Sequence, residues 1–428
     1  MAPDHKMGGQ GSENEGAVRH VFLIGAKSVG QYGGYETFVD QLLAYHDGVE
    51  GIQYHVACKA SGEGAMDETK LKGVTDRVTD RRGNVVRFRY HGADVVKFRV
   101  PKIGPLVAVY YDLKAFDRAI RYAKKNKLTS PVFYVMTCRI GPFIAGFKRR
   151  VKALGGQYFV NPDGHEWLRS KWSKPVRAYW KASEKQMIRH ADLVIADSEA
   201  IEAYVKETYR VYAPETTYIS YGSETVKSVL EDDDPKLLRW FREHGLSSGD
   251  YYLIVGRFVP ENNFETMLRE FMKNGTAKKL AVITNENEKL AAALEEKLGF
   301  RYDPRIVFTG TLYDPELLKK VRECAYAYLH GHSVGGTNPS LLEAMGSTEL
   351  NLLYKVAFNE EVGRDAALYW TKEEGDLSAL IDRAERMTEE ARAKYGQAAK
   401  ERIRTAYSWQ SIADRYEAVF TGDRKTGE

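Results

Sequence analysis

The feature that most constrains the fold of this chain is an alternation of short apolar runs with longer amphipathic segments. In the first half, the runs that predict strands are 21–24, 54–57, 85–90, 132–136, 158–160, 193–196 and 217–219. Helical patterns separate most of them, notably 36–46, 112–124 and 174–190. Strands that alternate with helices favour a parallel sheet that is covered by helices on its faces.

A charged stretch at 224–250, with a loop-like core at 231–235, interrupts this alternation. The strand pattern restarts at 251–255 and continues through 280–283, 306–308, 325–329 and 352–354. A last helical pattern at 376–420 contains a break at Ser408 and Trp409. A chain of 428 residues is also too long for one ordinary domain. Two doubly wound α/β halves that are joined by a linker are therefore expected.

The composition, with 43% hydrophobic and 29% charged residues, is typical of a soluble globular protein. No apolar run approaches the roughly 18 residues of a spanning helix. Residues 1–18 are polar and Gly-rich, so they are predicted to be disordered and not a signal peptide. Cys58, Cys138 and Cys324 are scattered without metal-like spacing, which indicates free thiols in a reducing cytosol. No metal or cofactor is expected.

The segment 332–345 carries the clearest chemical signal. A glycine-rich turn follows an apolar strand and runs directly into a helix. Backbone N–H groups at a helix N-terminus bind anions, and glycines let a diphosphate approach closely. Glu343, on the helix, can accept hydrogen bonds from sugar hydroxyls. The segment therefore predicts a site for a nucleotide-activated sugar, formed by His332, Gly335, Gly336, Thr337, Asn338, Pro339, Ser340 and Glu343.

His330 and His332 form an H-x-H pair that could suggest a metal. No third ligand is evident in the sequence, so we interpret them as residues at the end of a strand, with His332 near the sugar. Gly256 and Arg257 follow the first strand of the second half. An arginine at that position can clamp phosphate oxygens and offset the charge of a leaving diphosphate, although a surface ion pair is the alternative.

The turn at 25–36 after the first strand has three interpretations. It is not a P-loop, because Lys27 and Ser28 precede the second glycine. It lacks the dinucleotide fingerprint, and no acidic residue follows the second strand to hold a ribose. The third interpretation is a loop whose Gly33 and Gly34 backbone faces a diphosphate from the opposite half. A plain tight turn remains the alternative.

The segment 161–167 also follows a strand, at the crevice where ligands bind in open α/β sheets. Asp163, His165 and Glu166 form the densest group of potential acid/base residues in the chain. The alternative is an Asx-type turn that caps the next helix.

Residues 148–189 contain eleven Lys/Arg against three acids, and aromatic residues are interleaved with them, namely Trp167, Trp172, Tyr179 and Trp180. Such a surface suits an anionic membrane and a lipid diphosphate. An ordinary solvated helix is the alternative. No recognised nucleic-acid-binding motif is present, so no nucleic-acid partner is expected.

In their order along the chain, these motifs resemble the retaining GT-B glycosyltransferases of family 4. The matching motifs are Gly33-Gly34-x-Glu36, Ala191-Asp192-x-x-Ile195-Ala196-x-Ser198, Ile219-x-Tyr221-Gly222, Val255-Gly256-Arg257-x-Val259-Pro260-Glu261, Phe308-x-Gly310 and Leu342-Glu343-Ala344-Met345. The resemblance covers roughly residues 20–420. It implies the GT-B fold, with two Rossmann-like domains facing a central cleft and a C-terminal helix that crosses back to the N-terminal domain.

The domain limits that follow are a disordered N-terminus at 1–18, an acceptor-binding domain at 19–225, a nucleotide-sugar-binding domain at 226–402 and the returning helix at 403–428.

A narrower resemblance is to bacterial β-1,4-rhamnosyltransferases of capsule and cell-wall polysaccharide synthesis. It rests on residues 32–39, 161–167, 260–263, 335–340 and 366–370. It implies transfer from dTDP-β-L-rhamnose to a saccharide on undecaprenyl diphosphate. It also implies a cytoplasmic protein that is peripheral on the inner face of the plasma membrane.

The resemblance implies roles for individual residues. Glu343 would hold the ribose, and Arg257 and the amides of 336–340 would hold the diphosphate. Other donor-binding residues would be Gly33, Gly34, Asn262, Asn263, Thr309, Gly310 and Leu312, the last three near the base. The catalytic candidates are Arg257, Glu343, His165 and Asp163. The acceptor or membrane candidates are Glu166, Trp167, Arg169, Lys171 and Trp172.

Two departures from the wider family matter. Gly335 stands where the first glutamate of its E-x7-E motif would be, and Asn262 stands where a lysine usually partners the arginine. A 6-deoxy sugar offers fewer hydroxyls to hold, which is compatible with the missing carboxylate. The alternatives are a transferase for another UDP- or GDP-sugar, a nucleotide-sugar 2-epimerase, or a non-catalytic sugar-nucleotide-binding protein. An NAD-dependent oxidoreductase is disfavoured, because neither half has the dinucleotide fingerprint.

Overall fold

The computed structural model of the protein describes residues 18–31, 33–162, 164–169 and 172–422, which form two sheets flanked by helices. Strands β1 to β15 are Arg19–Ile24, Ile52–Lys59, Thr75–Thr79, Val85–Tyr90, Ala93–Phe98, Val132–Val135, Gln157–Val160, Leu193–Ala196, Thr216–Tyr218, Tyr251–Val255, Lys279–Ile283, Ile306–Gly310, Ala327–His330, Asn351–Tyr354 and Leu368–Trp370. Helices α1 to α14 are Gly34–Tyr45, Val107–Lys125, Gly141–Lys152, Lys174–His190, Glu199–Thr208, Pro235–His244, Phe264–Lys273, Glu288–Leu298, Pro315–Glu323, Pro339–Ser347, Ala357–Gly363, Asp376–Glu385, Glu389–Ala406 and Trp409–Thr421.

The first sheet has nine strands in the order β3-β4-β5-β2-β1-β6-β7-β8-β9. The strands from β5 to β9 along this order pair in parallel, whereas β3 and β4 are antiparallel at one edge. The sequence predicts only a parallel sheet, so the antiparallel hairpin of β3 and β4 was not predicted. Every residue of β3 is exposed, so it has no apolar run to detect. The Asp80 carboxylate closes the turn between β3 and β4 by accepting from the backbone N–H groups of Arg82 and Asn84 at 2.8 and 3.0 Å.

The second sheet is parallel throughout and has the order β12-β11-β10-β13-β14-β15. β10 lies between β11 and β13, so the connections leave it in opposite directions. Such a switch point opens a crevice at the carboxyl ends of the strands. The loop that contains Arg257 and the loop at 331–338 therefore begin side by side.

The charged segment at 224–250 contains a helix that the sequence analysis did not predict. Helix α6 begins at Pro235, and the Asp234 side chain caps it by accepting from the Lys236 N–H at 2.8 Å. Leu237, Trp240 and Phe241 are buried and belong to one hydrophobic cluster with β10. Because acidic residues precede these apolar residues, the pattern looked like a linker, although its C-terminal part packs on the second sheet.

The C-terminal helices divide between the two sheets. Ile403 of α13 packs against Leu341 of the second half. After Tyr407 the chain crosses, and α14 buries Trp409, Tyr416 and Phe420 in the core of the first sheet. The predicted return of the C-terminal helix to the first half is therefore confirmed.

Among the described residues, no helix is both long and apolar enough to cross a membrane.

Phe420→Ala tests how firmly α14 is held on the first sheet. The Phe420 ring is fully buried and packs against Tyr134, Phe159 and Tyr416. Deleting it should lower the free energy of unfolding by about 3–5 kcal/mol. Urea unfolding followed by circular dichroism measures this change. The control Phe143→Ala, at a side chain that is 51% exposed, should change it by less than about 1 kcal/mol. Equal losses in the two variants would contradict the assignment of α14 to the core.

Candidate functional site

The carboxyl ends of the two sheets face each other across a cleft and touch through small residues. Asp197, which follows β8, accepts a hydrogen bond through its backbone carbonyl from the Thr337 hydroxyl at 2.7 Å. A Cβ placed on Gly336 would lie 1.8 Å from the Asp197 Oδ1 atom. A Cβ placed on Gly164 would lie 2.7 Å from the backbone N of Gly336. The two halves can approach this closely only because these positions are glycines.

A second contact joins the halves at helix α5. The Glu361 carboxylate, from α11 of the second half, accepts hydrogen bonds from the backbone N–H groups of Glu199 and Ala200 at 3.0 and 3.2 Å. These N–H groups lie in the first turn of α5, where a carboxylate also interacts favourably with the helix dipole.

The glycine-rich loop leads into helix α10 through a side-chain cap. The Asn338 side chain accepts from the Ser340 N–H at 2.9 Å, and Pro339 is the first helical residue. This amide, which the sequence analysis assigned to the diphosphate, is therefore already bonded. The Ser340 hydroxyl lies 3.2 Å from the Val255 carbonyl oxygen and 3.1 Å from the Tyr328 hydroxyl. These hydrogen bonds fix the start of α10 against β10 and β13. An anion would therefore be bound by backbone N–H groups of the preceding glycine-rich loop.

Glu343 is held by a residue that the sequence analysis did not identify. Arg322, on α9, has a side chain that is only 5% exposed, and its guanidinium lies 2.6 Å from the Glu343 carboxylate. Glu343 itself is 45% exposed, so its carboxylate is held in position by Arg322 and remains accessible to a ligand. Arg322 lies on a helix rich in charged residues, where no local pattern marks it. Only the packing of α9 against α10 distinguishes it.

Two histidine rings form the wall of the crevice between β10 and β13. The His330 and His332 rings are stacked, with centroids 4.3 Å apart. Burial lowers the pKa of His330 well below its ordinary value. Burial, followed by the charges of Arg257 and Arg169, lowers the pKa of His332 to about 3. Both imidazoles are therefore neutral near pH 7. Within the described ranges, no three His, Cys, Asp or Glu side chains are grouped as metal ligands.

Arg257 and Arg169 bring positive charge to His332 from opposite halves. Arg257 is exposed at the end of β10, and Arg169 follows the short 3-10 turn Glu166–Leu168 of the first half. Both guanidiniums are close enough for their charges to lower the pKa of His332. The sequence analysis assigned Arg169 to the acceptor or membrane group. The tertiary structure brings it beside the predicted donor loop.

Asn262 and Asn263 hold the crevice together through their side-chain amides. Asn262 donates to the Arg257 carbonyl oxygen at 2.8 Å, and Asn263 donates to the Gly331 carbonyl oxygen at 2.7 Å. Both residues are buried. Their amide N–H groups thus position the Arg257 loop against β13, and a direct contact with the donor stays a prediction.

The loop around His165 is fixed by contacts within the first half. The His165 ring lies 4.3 Å from the Tyr204 ring, and burial lowers the pKa of the imidazole. The Glu166 carboxylate accepts from the Trp172 indole N–H at 2.9 Å and pairs with Arg169. The Trp167 ring lies 4.3 Å from the Lys181 ammonium. Asp163 and Lys171, two further candidates, lie outside the described residues.

The aromatic residues of the basic stretch are less exposed than the sequence suggested, since Trp180 is buried and Trp167, Trp172 and Tyr179 are partly exposed. Trp180 is 8% exposed, and its ring lies 5.8 Å from that of Trp172. The Tyr179 hydroxyl donates to the Arg139 carbonyl oxygen at 2.8 Å. Helix α4 packs on α3, and Trp180 is among its buried residues. The residues of this region that are exposed include Phe143, Arg149, Lys152, Lys174 and Lys185.

The remaining predicted donor residues lie at other strand ends. Thr309 and Gly310 end β12, the edge strand of the second sheet, and Leu312 follows them. Gly33 and Gly34 lie at the start of α1 in the first half. The structure therefore gathers Arg257, His332, residues 335–340 and Glu343 at β10 and β13. It places 309–312 two strands away, at the same edge.

Comparisons with known proteins agree with this architecture. A family model described as "Domain of unknown function (DUF1972)" matches residues 18–224. No curated protein matches the chain by sequence.

Solved structures match over nearly the whole chain. Sucrose-phosphate synthase from Thermosynechococcus elongatus superposes with a TM-score of 0.70 at 15% identity, covering 96% of this chain and 100% of that one. A glycosyltransferase from Rickettsia africae gives 0.68 at 10% identity, with 96% and 100% covered. Anabaena HepE in complex with UDP and glucose gives 0.67 at 13% identity, with 95% and 100% covered. Together with the two facing sheets, these matches show that the chain has the GT-B fold.

Gly336→Ala tests the contact across the cleft. The added methyl would meet the Asp197 carboxylate at 1.8 Å, so the halves should separate without unfolding. Small-angle X-ray scattering should record a larger radius of gyration at an unchanged melting temperature. Gly275→Ala, where a Cβ would meet no atom within 4 Å, is the matched control. Adding Asp197→Ala to Gly336→Ala should restore the compact form. An unchanged scattering curve for the single variant would contradict the contact.

The stacked histidines should make the stability depend on pH. The unfolded chain protonates its histidines near pH 6.5, whereas the folded pKa values of His330 and His332 lie far lower. Below about pH 6.5 the unfolded state therefore binds more protons, and stability should fall as the pH drops. Between pH 7.5 and pH 5, each histidine should lower the free energy of unfolding by about 2 kcal/mol. Urea unfolding at both pH values measures this loss, and His330→Gln should reduce it. The same pH dependence in wild type and variant would contradict the prediction.

Proposed function

We propose that the protein is a retaining glycosyltransferase that moves L-rhamnose from dTDP-β-L-rhamnose onto a saccharide linked to a lipid diphosphate. The observation that carries the proposal is the charge arrangement at the cleft. The charges of Arg257 and Arg169, from opposite halves, both act on the neutral His332 at the start of the glycine-rich loop, and Arg169 is also held by Glu166. Two guanidiniums beside glycine backbone amides suit a diphosphate.

The chemistry of the transfer explains why such a site needs cations more than a nucleophile. As the bond between sugar C1 and the phosphate oxygen breaks, negative charge grows on the leaving diphosphate. Fixed donors that face this charge are usually the largest single contribution to the rate. In a front-side reaction with retention, the leaving oxygen itself accepts the proton of the acceptor hydroxyl. His165 and Asp163 remain candidates for assisting that proton transfer.

Glu343 is proposed to bind the ribose of the donor. Its carboxylate is oriented by the buried Arg322 and stays partly exposed, which suits hydrogen bonds from a hydroxyl. The second half would then bind the nucleotide and the first half the acceptor, as the domain limits at 19–225 and 226–402 propose.

The choice of rhamnose rests on the motif resemblance, and the conformation of Gly335 is compatible with it. Gly335 has a φ of +130°, and a Cβ there would meet open space. A glutamate at this position would be strained by its backbone, so the loop is adapted to the absence of a first carboxylate. HepE was solved with UDP and glucose and supports a nucleotide-sugar donor in general. Its bound UDP makes a UDP-sugar the second candidate.

A peripheral position on an anionic membrane is part of the proposal. The support is narrower than the sequence suggested, because Trp180 is buried and Trp167 and Trp172 are only partly exposed. It consists of the exposed basic residues of α3 and α4 and of Phe143, whose ring is 51% exposed. Basic residues beside an exposed aromatic ring suit the interface of an anionic bilayer.

A thermal-shift panel of UDP, GDP, dTDP and their sugar conjugates tests the donor assignment. Selective stabilisation by dTDP and dTDP-L-rhamnose is expected, because ligands that bind the native state raise its melting temperature. Preference for a UDP- or GDP-sugar would keep the reaction class and discard rhamnose. Full turnover of the donor without any acceptor would favour the 2-epimerase. Binding without transfer to any acceptor would favour a non-catalytic protein.

Two variants divide the roles of the donor residues. Glu343→Ala should raise the KM for the donor, because it removes a contact that is present before and during the reaction. Arg257→Ala should lower kcat by about 100-fold, because its contact strengthens as charge develops. Lys289→Ala, an exposed lysine of the second half, is the control. Equal loss of donor affinity in both variants, with unchanged kcat, would contradict this division.

A further inference from the structure

A second group of cations lies in the first half, at the carboxyl edge of its sheet. Lys27 follows β1, Lys59 is the last residue of β2, and Arg139 follows β6. β2, β1 and β6 are neighbours in the sheet and run parallel. The three residues therefore share the carboxyl edge of the sheet, the edge that also carries Gly164 and Asp197.

Lys59 is the unusual member of this group, because it is a buried cation. It is 5% exposed, and its ammonium donates to the Glu63 backbone carbonyl oxygen at 2.6 Å. In the described part of the chain, neither the Lys59 nor the Lys27 ammonium forms an ion pair within 4 Å, although the charges of Glu63 and Glu36 reach Lys59 from farther away. A buried charge without a direct ion pair is costly in free energy.

The neighbours of Lys59 add positive charge to it. The backbone N–H of Lys59 donates to the Lys27 carbonyl oxygen at 2.8 Å, which joins the two strand ends. The Lys27 side chain lies along Gly64, since a Cβ on that glycine would be 2.9 Å from the Lys27 Cδ atom. Burial, then the charge of Lys27, lowers the pKa of Lys59, and Arg139 lowers it further, whereas the carboxylates of Glu63 and Glu36 act in the opposite direction. Arg139 pairs with Asp112 at 3.5 Å, whereas neither ammonium group forms an ion pair among the described residues.

We propose that Lys27, Lys59 and Arg139 bind the phosphoryl group of the acceptor. This inference rests on the proposed glycosyl transfer, and it names the part of the acceptor that the first half recognises. Neighbouring strands lie about 4.8 Å apart, so β1 and β2 are about 10–15 Å from β7, which precedes Gly164. A phosphorylated sugar can span this distance from the cation group to the hydroxyl that attacks the donor.

The test begins with phosphoryl binding, measured apart from the donor site. The full chain is saturated with the nucleoside diphosphate that stabilises it most, and inorganic pyrophosphate is then titrated by calorimetry. Lys27→Gln and Lys59→Met should each raise the Kd for pyrophosphate by about tenfold, the effect of one lost charge-assisted bond. The Kd for the nucleotide should stay within about twofold. Lys72→Gln, at an exposed lysine of the same half, is the matched control.

The melting temperature of Lys59→Met distinguishes a structural role of Lys59 from a role in binding an anion. If Lys59 holds the fold, Lys59→Met should melt at a lower temperature. If it is kept for an anion, the ligand-free variant should melt at the same temperature or higher, because a costly buried charge is removed. Lys27, which is only partly buried, gives the decisive variant if Lys59→Met folds poorly.

The source of the phosphoryl group is decided by competition against pyrophosphate. If a short prenyl diphosphate competes and glucose 1-phosphate does not, the acceptor is carried on a lipid. If glucose 1-phosphate competes and the prenyl diphosphate does not, the acceptor is a soluble sugar phosphate. Failure of both to compete, or equal pyrophosphate affinity in wild type, Lys27→Gln and Lys59→Met, would overturn the inference. If no nucleotide binds, the proposed function fails, and the same titration on the protein alone still decides whether these lysines bind a phosphoryl group.

Discussion

Parallel pairing of strands that are distant in the chain is the constraint on which the rest of this structure depends. β10 pairs with β13, and β1 pairs with β6, so residues far apart in sequence begin their loops side by side. Parallel strands require long connections, which are supplied by helices on the faces of the sheets. Both sheets then collect their loops at the carboxyl edge, and the cleft forms where these edges meet.

The cleft combines close contact with unbalanced charge. Gly164 and Gly336 let the two backbones touch, and any larger side chain at Gly336 would collide with Asp197. Around this contact lie several cations: Arg257 and Arg169 on the donor side, and Lys27 and Lys59, which form no direct ion pair among the described residues, on the other. Buried or crowded positive charge destabilises a protein on its own, and it is favourable only when anions bind. The free energy of ligand binding thereby offsets the destabilisation that these charges cause in the ligand-free protein.

Much of the architecture could be predicted because apolar runs of strand length are local signals. Twelve of the strands correspond to such runs, and the exceptions have clear reasons. β3 is wholly exposed, β5 follows β4 after a turn of two residues, and β15 is only three residues long. Helix α6 was not predicted, because the acidic residues before it made the segment resemble a linker. The donor loop at 332–345 was recognisable because glycines before a helix are a local pattern too.

The amino-acid sequence by itself determined the order of strands and helices, the glycine-rich turns and the candidate residues Arg257 and Glu343. Those properties depend on neighbours in the chain. The tertiary structure alone decided that Arg322 orients Glu343, that Arg169 joins Arg257 beside His332, and that Trp180 packs inward. It also decided that Lys27 and Lys59 share a buried edge. These are contacts between strands and helices that are far apart in sequence. The local sequence around a charged or aromatic residue does not identify the partner that it contacts in the folded protein.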